Sequence, residues 1–287
     1  MKVVVHGGAD LKKIIFLASA VVGMSIGVYA QGIHWAHSFE SASQQASQSH
    51  KLLLVDFYTS WCQWCKVMDK EVYPNAQVIK ASNDFVPVRL DAEKNGVSQA
   101  QDYSVRAYPT ILFLTPEGRP VYRLEGYLPA HDFLGLMHEV EILRQRMEKG
   151  DATLRSNPQD LNTLATMTNI SVEAGDMIHA EGYWKRARQV IGRAKSDAVS
   201  MAGDNIGNSY IQHEHYDLAR AVFKTSLSAA KTPDAVANAM VGLAISYLAD
   251  NQVPKGKQIV NAALTIPNLS ADETRRLRAL LAQVNSQ

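Results

Sequence analysis

The chain has only two cysteines in 287 residues, and they stand with two residues between them in Trp61-Cys62-Gln63-Trp64-Cys65-Lys66. An apolar run, Leu52 to Tyr58, leads into them. Val67, Met68 and Val72 follow at roughly helical spacing until Pro74 interrupts. Strand, Cys-x-x-Cys, helix is an order with a chemical use. Cys62 would sit at a helix N-terminus, where unpaired N–H groups and the helix dipole favour a thiolate. Such placement lowers a thiol's pKa from about 8.5 towards about 7 or below. Cys65, three residues on, faces the same side of the first turn, at a separation that a disulfide tolerates. One sulfur is then presented for attack and the other is placed to resolve a mixed disulfide. Half of a zinc site is one rival, but a closed structural site takes four ligands and the chain has no second cysteine pair. A purely structural disulfide is the other rival. Redox chemistry is preferred over both.

Two further stretches bear on that chemistry. Val55-Asp56-Phe57 puts an acid inside the apolar run, six residues before Cys62, where a charge is costly without work or a partner. An Asp at the strand end turned to solvent is the alternative. In Val105-Arg106-Ala107-Tyr108-Pro109-Thr110-Ile111-Leu112-Phe113-Leu114, a proline stands just ahead of an apolar strand. That is awkward unless it starts the strand or holds a cis bond.

Val-Asp-Phe, Trp-Cys-x-x-Cys-Lys and Tyr-Pro-Thr stand in thioredoxin order. Residues from about 33 to 146 resemble a thioredoxin domain, specifically the exported thioredoxin-like proteins related to the C-terminal domain of the Dsb-system membrane electron transporter. The resemblance implies an α/β thioredoxin fold, a central mixed sheet flanked by helices. It implies Cys62 as nucleophile, Cys65 as resolving thiol, and Asp56 as the buried proton acceptor that helps deprotonate Cys65. It also implies Pro109 as a cis-proline packed against the disulfide, with Trp61, Gln63, Trp64, Tyr108 and Thr110 bordering the substrate groove. Gly126 resembles the glycine that thioredoxins keep beside the site. Gln63-Trp64 departs from the Gly-Pro of thioredoxin itself. That pair influences reduction potential, so the direction of electron flow stays open.

The elements needed to position these groups alternate as an α/β domain should. A polar opening helix is expected over 38–49, the central strand over 51–58 and the active-site helix over 62–73. A helical segment at 76–83, a strand at 85–91 and a short helix at 97–103 follow. Strands at 111–114 and 121–124 flank Thr115-Pro116-Glu117-Gly118 as an antiparallel hairpin. A helix over 131–147 closes the domain on one apolar stripe, with His131 and His138 at its surface.

Composition limits little: 46% hydrophobic and 20% charged, with a net charge of +1, gives no ground for nucleic-acid binding. At the N-terminus, Lys12-Lys13 precede the apolar run Ile14 to Val28, and Val28-Tyr29-Ala30 ends in small residues. Residues 1–30 therefore read as a secretory signal peptide cleaved after Ala30, with an uncleaved anchor as the alternative. Asp10 and His6 ahead of the basic pair point to a native start at Leu11. Export, to the periplasm, makes a lone catalytically spaced cysteine pair read as a carrier or editor of other proteins' disulfides.

The resemblance makes residues 31–148 the expected thioredoxin-like domain, and beyond about Gly150 alanine-rich helical periodicity takes over through residues 149–287. Ile206-Gly207, Tyr210, Ala219 and Phe223 fall at tetratricopeptide offsets, with Pro233 closing the unit. A shift of 37 gives Leu243-Ala244, Tyr247, Gly256, Val260 and Ala263. A shift back of 39 gives Leu164, Met167-Thr168, Ser171, Ala180, Trp184 and Ala187. Three tetratricopeptide-like (TPR-like) repeats are expected, with 271–284 as a capping helix and a generic helical bundle as the alternative. Stacked helix pairs present a concave surface for a peptide or protein segment. His213 and His215 alone make a poor metal site.

The expected function is thiol–disulfide exchange on protein substrates, with no metal or organic cofactor. If the enzyme works as a reductase, the resemblance implies electrons from a membrane-bound thiol donor. A scaffold whose repeats do the work, or a disulfide oxidase or isomerase, are the alternatives.

Overall fold

A computed structural model describes residues 32–285. The signal peptide, the cleavage after Ala30 and the start at Leu11 lie outside the described residues.

Four strands form one mixed sheet in the order β2-β1-β3-β4: β1 Leu52–Tyr58, β2 Phe85–Asp91, β3 Thr110–Leu114 and β4 Pro120–Glu125. β1 runs parallel to β2 and antiparallel to β3, and β3 pairs antiparallel with β4. The unbroken apolar run of β1 suits a strand covered on both faces, and Leu52 to Phe57 are all buried. Alternation then sorts the side chains. Leu52, Leu54, Ile111 and Phe113 enter one core, while Leu53, Val55, Phe57, Leu112 and Leu114 enter the other.

The second core is roofed by α1 (Phe39–Ser49) through Ala42 and Ala46, and by α4 (Val97–Asp102) through Ala100. Ser38 and Ser41 cap each other at the start of α1, a device that contributes about 1 kcal/mol. α2 (Gln63–Val67) leads into a π turn (Met68–Val72), and that turn, α3 (Ala76–Ser82) and the start of α5 (Ala130–Ser156) cover the first core.

One helix is expected over 62–73, and the structure instead breaks it into α2 and the π turn. The Tyr73 N–H donates to the Met68 carbonyl at 3.0 Å, five residues back. In a regular α-helix, residues three and four apart share a face and the fifth rotates away. The wider turn brings Tyr73 round to the side of Met68 and Val72, and all three are buried.

The change of composition at 148–149 falls inside α5, which runs unbroken for 27 residues. Its first half lays Phe133, Met137 and Val140 into the sheet core, and Met147 and Leu154 carry the same core onward. The rest of the described chain is all α. It comprises α6 (Leu161–Glu173) with α7 (Met177–Ile191), α8 (Asp197–Gln212) with α9 (Tyr216–Ala229), α10 (Pro233–Ala249) with α11 (Val253–Leu264), and a closing α12 (Ala271–Asn285). Asp160, Asp176, Ser196 and Thr232 cap α6, α7, α8 and α10 through their side chains, and Pro233 takes the first position of α10. The Phe223 ring wedges between α8 and α10, which approach so closely that a Cβ on Gly207 or Gly242 would come within 2.6 or 2.1 Å of it.

A polar clamp fastens the β3–β4 turn to the helices. Arg119 Nε donates to Asp176 at 3.3 Å and its Nη1 to Asp151 at 3.4 Å. The guanidinium lies 5.6 Å from the Tyr183 ring, whose hydroxyl donates to Asp151 at 3.0 Å. Among the described residues, no helix is long and apolar enough to cross a membrane.

Candidate functional site

β1 ends at Tyr58, and a short turn delivers Cys62 to the residue before α2, where the Cys62 N–H donates to the Thr59 carbonyl at 3.2 Å. Cys62 and Cys65 form a disulfide with a Cα separation of 5.3 Å. Both are nearly covered, at 4% and 3% exposed. The Cys65 N–H donates to Cys62 Sγ at 3.0 Å. That donor belongs to the first helical turn and has no carbonyl to serve, so it is aimed at whatever charge the sulfur carries once reduced.

Aromatic rings border the disulfide. Trp61 and Trp64 are 60% and 58% exposed, unusual for so large an apolar side chain. Trp61 Nε1 donates to Glu93 at 2.9 Å, and its ring meets Tyr108 edge-on at 5.8 Å. Trp64 stacks on Tyr127 at 5.3 Å, and the Tyr127 hydroxyl donates to Glu71 at 3.3 Å. Gln63 is exposed at the start of α2. The Tyr108–Pro109 peptide is cis, and Pro109 is buried. The Gly126 N–H donates to the Pro109 carbonyl at 2.8 Å from a φ of +92°, a conformation glycine adopts without penalty.

Thr110 is the exception among the expected groove residues. It is fully buried and its hydroxyl donates to the Ala107 carbonyl at 2.8 Å, so its side chain serves the turn into β3 and does not border a groove.

Asp56 is 1% exposed in the middle of the sheet, which excludes the solvent-facing alternative. It sits on the same sheet face as Leu52 and Leu54, the face covered by the π turn. Its register partner on β2 is Arg89, whose Nε donates to Asp56 Oδ2 at 2.9 Å. The other arm of the guanidinium reaches Asp69, in the π turn, at 2.9 Å. Trp35, Tyr58 and Tyr73 surround the guanidinium, with ring centres 5.4, 4.5 and 5.5 Å away. Burial pushes the Asp56 carboxyl above the ordinary range, and Arg89 followed by the Tyr73 hydroxyl pull it part of the way back. Burial, reinforced by the Asp56 charge, also lifts the Tyr73 phenol well above its usual value.

Several of these groups are not singled out by the sequence reading. A buried acid in a strand demands a partner, and Val88-Arg89-Leu90 holds the lone cation inside an otherwise apolar strand; that was the available signal. Tyr127 and Glu93 carry no local signal, because only the fold brings them to the cysteines. His213 and His215 lie in the α8–α9 connection, and no group of three or more metal-ligating side chains occurs among the described residues.

Residues 39–141 match the family model for the thioredoxin-like domain. The thiol:disulfide interchange protein DsbD of Pseudoalteromonas atlantica is 30% identical over 100 residues, covering 33% of this chain and 17% of that protein. The chloroplastic thioredoxin Y of Oryza sativa subsp. japonica is 34% identical over 99 residues, covering 34% of this chain and 55% of that one. Among solved structures, a thioredoxin from Thermus thermophilus is 25% identical, covering 38% of this chain and 88% of that one, with a TM-score of 0.36. The matched segment thus spans about a sixth of the DsbD protein. Residues 39–141 thus match a thioredoxin-like domain and are similar to a segment of the DsbD proteins, and the Cys62–Cys65 disulfide lies within that stretch.

Proposed function

We propose that the chain is an exported thiol–disulfide oxidoreductase acting on protein disulfides. The observation that carries this reading is the Cys62–Cys65 disulfide at the start of a helical turn, with the Cys65 N–H on Cys62 Sγ and exposed tryptophans on either side. In the reduced protein the Cys62 thiolate attacks one sulfur of a substrate disulfide, forming a mixed disulfide and releasing the other substrate sulfur as a thiolate. Cys65 then gives its proton to Asp56 and attacks Cys62 Sγ. The second substrate thiolate leaves, and the Cys62–Cys65 disulfide is restored. Asp56 suits the acceptor role because its carboxyl is already raised by burial.

We assign the reducing direction, with a membrane-bound thiol relay as electron donor, on the resemblance of the Val55-Asp56-Phe57, Trp61-Cys62 and Tyr108-Pro109-Thr110 motifs to the exported proteins related to the Dsb-system electron transporter. We assign residues 31–148 to the redox domain and 149–287 to three TPR-like repeats with a capping helix. The repeats hold a segment of the protein substrate or partner. A polar groove of about 330 Å³ between α6 and α8, lined by Asn169, Asn205, Asn208 and Gln212 among others, is the surface we assign to it. Carboxamides offer a donor and an acceptor each, the complement of a peptide backbone.

The test is a Cys65→Ser variant expressed in the native compartment. It should accumulate mixed disulfides at Cys62 that disappear on reduction. A variant that is folded and carries no covalent partner would favour a scaffold built on an idle thioredoxin-like module.

A further inference from the structure

The buried hydroxyl of Tyr73 has no role in the exchange steps above. It is held in the core by an edge-on contact with Trp35 at 5.2 Å and by Phe133 at 6.3 Å, and by its backbone bond to Met68. Its oxygen is shut off from solvent and has no hydrogen-bond partner, and the same is true of Asp56 Oδ1. Asp56 Oδ2 is taken by Arg89. Two buried polar atoms without partners are each costly, and both residues flank Arg89, which donates to Asp56 Oδ2 at 2.9 Å and lies 5.5 Å from the Tyr73 ring centre. They fall short of a direct hydrogen bond in this structure. The π turn is what puts them near one another, because a regular helix would rotate Tyr73 away from Met68 and Val72.

We propose that Tyr73 is a positioning residue for Asp56, its hydroxyl donating to Oδ1 of the ionised carboxylate while Arg89 holds Oδ2. The function of Asp56 as acceptor of the Cys65 proton is the reading given above, and this inference rests on it. The contact favours the charged acid and opposes the burial that raises its carboxyl, so it sets how tightly Asp56 takes up the Cys65 proton. When the proton arrives from Cys65, the carboxyl becomes neutral and the hydroxyl is released. No other electron or atom moves. The charged and titratable groups that face Asp56 are Arg89 from β2, Tyr73 from the end of the π turn, and Asp69 from within that turn through Arg89. Tyr58 and Trp35 cover the guanidinium with their rings.

The experiment is a pH titration of the Asp56 carboxyl carbon by NMR in the reduced full chain, with Asp56→Asn assigning the signal. Tyr73→Phe keeps the ring and removes only the hydroxyl. Its Asp56 midpoint should rise by about one pH unit, a tenfold gain in proton affinity. Incorporating 3-fluorotyrosine at position 73, a stronger donor, should move the midpoint down. A Phe variant that melts at a lower temperature but titrates as the wild type overturns the proposal and leaves Tyr73 a packing residue. An unmoved or raised midpoint with fluorotyrosine overturns it equally. The acceptor role is tested apart from this by the pH–rate profile of Asp56→Asn: an unchanged profile defeats that role while the carboxyl titration still reports the Tyr73 contact.

Discussion

Asp204, on α8, is a buried acid that the proposed redox chemistry does not use, and replacing it by asparagine should make the protein more stable at alkaline pH. It is 9% exposed, its Oδ1 has no hydrogen-bond partner, and burial raises its carboxyl from 3.8 to about 7 despite the neighbouring Ser226 hydroxyl. Between those two values the folded state keeps a proton that the unfolded chain has already lost. Stability therefore falls as pH rises through that window and levels off above about 7. Each pH unit is worth about 1.4 kcal/mol, so the whole window amounts to about 4 kcal/mol. Asparagine has no such dependence. Urea unfolding of wild type and Asp204→Asn at pH 5 and pH 8 cancels the titration of every other group. The variant should lead wild type by about 1.5 kcal/mol at pH 5 and by about 4 kcal/mol at pH 8, a widening of about 3 kcal/mol, close to 1 M in urea midpoint for a slope of about 3 kcal/mol per M. A difference between the two proteins that is the same at both pH values, or that favours wild type at pH 8, refutes the reasoning.

Arg89→Leu leaves Asp56 buried without its cation and should cost about 3–5 kcal/mol. Adding Asp56→Asn should recover much of the loss, read as two melting temperatures. Gly242→Ala forces a methyl into the Phe223 ring and should cost about 1–3 kcal/mol. Phe223→Leu in the same chain should return part of it, whereas a neutral Gly242→Ala would show that α8 and α10 are free to part.

What the sequence made legible was whatever repeats locally or carries a compulsory pairing. The two-sided apolar run 52–57 announced a central strand, and the helix expected from Ser38 begins there. The offsets around Gly207 and Ala219 located helices that do pair, and each of the three offset sets falls on one pair. The π turn was not legible, because Val67, Met68 and Val72 satisfy an α pattern and only the burial of Tyr73 against Trp35 and Phe133 decides otherwise. Thr110 looked like a groove residue because it adjoins Pro109, yet strand alternation turns it inward. Arg119 could not be found at all: its partners, Asp151 and Asp176, are 32 and 57 residues away, on helices whose placement no local pattern encodes.

The central claim is that Cys62 is an acidic, attackable sulfur with Cys65 behind it. The most direct measurement is the pH dependence of Cys62 alkylation by iodoacetamide in the reduced chain, followed by peptide mapping. A midpoint below about 7.5, with Cys65 reacting far more slowly, is the predicted result. A midpoint at about 8.5, as for a free thiol in water, contradicts the account.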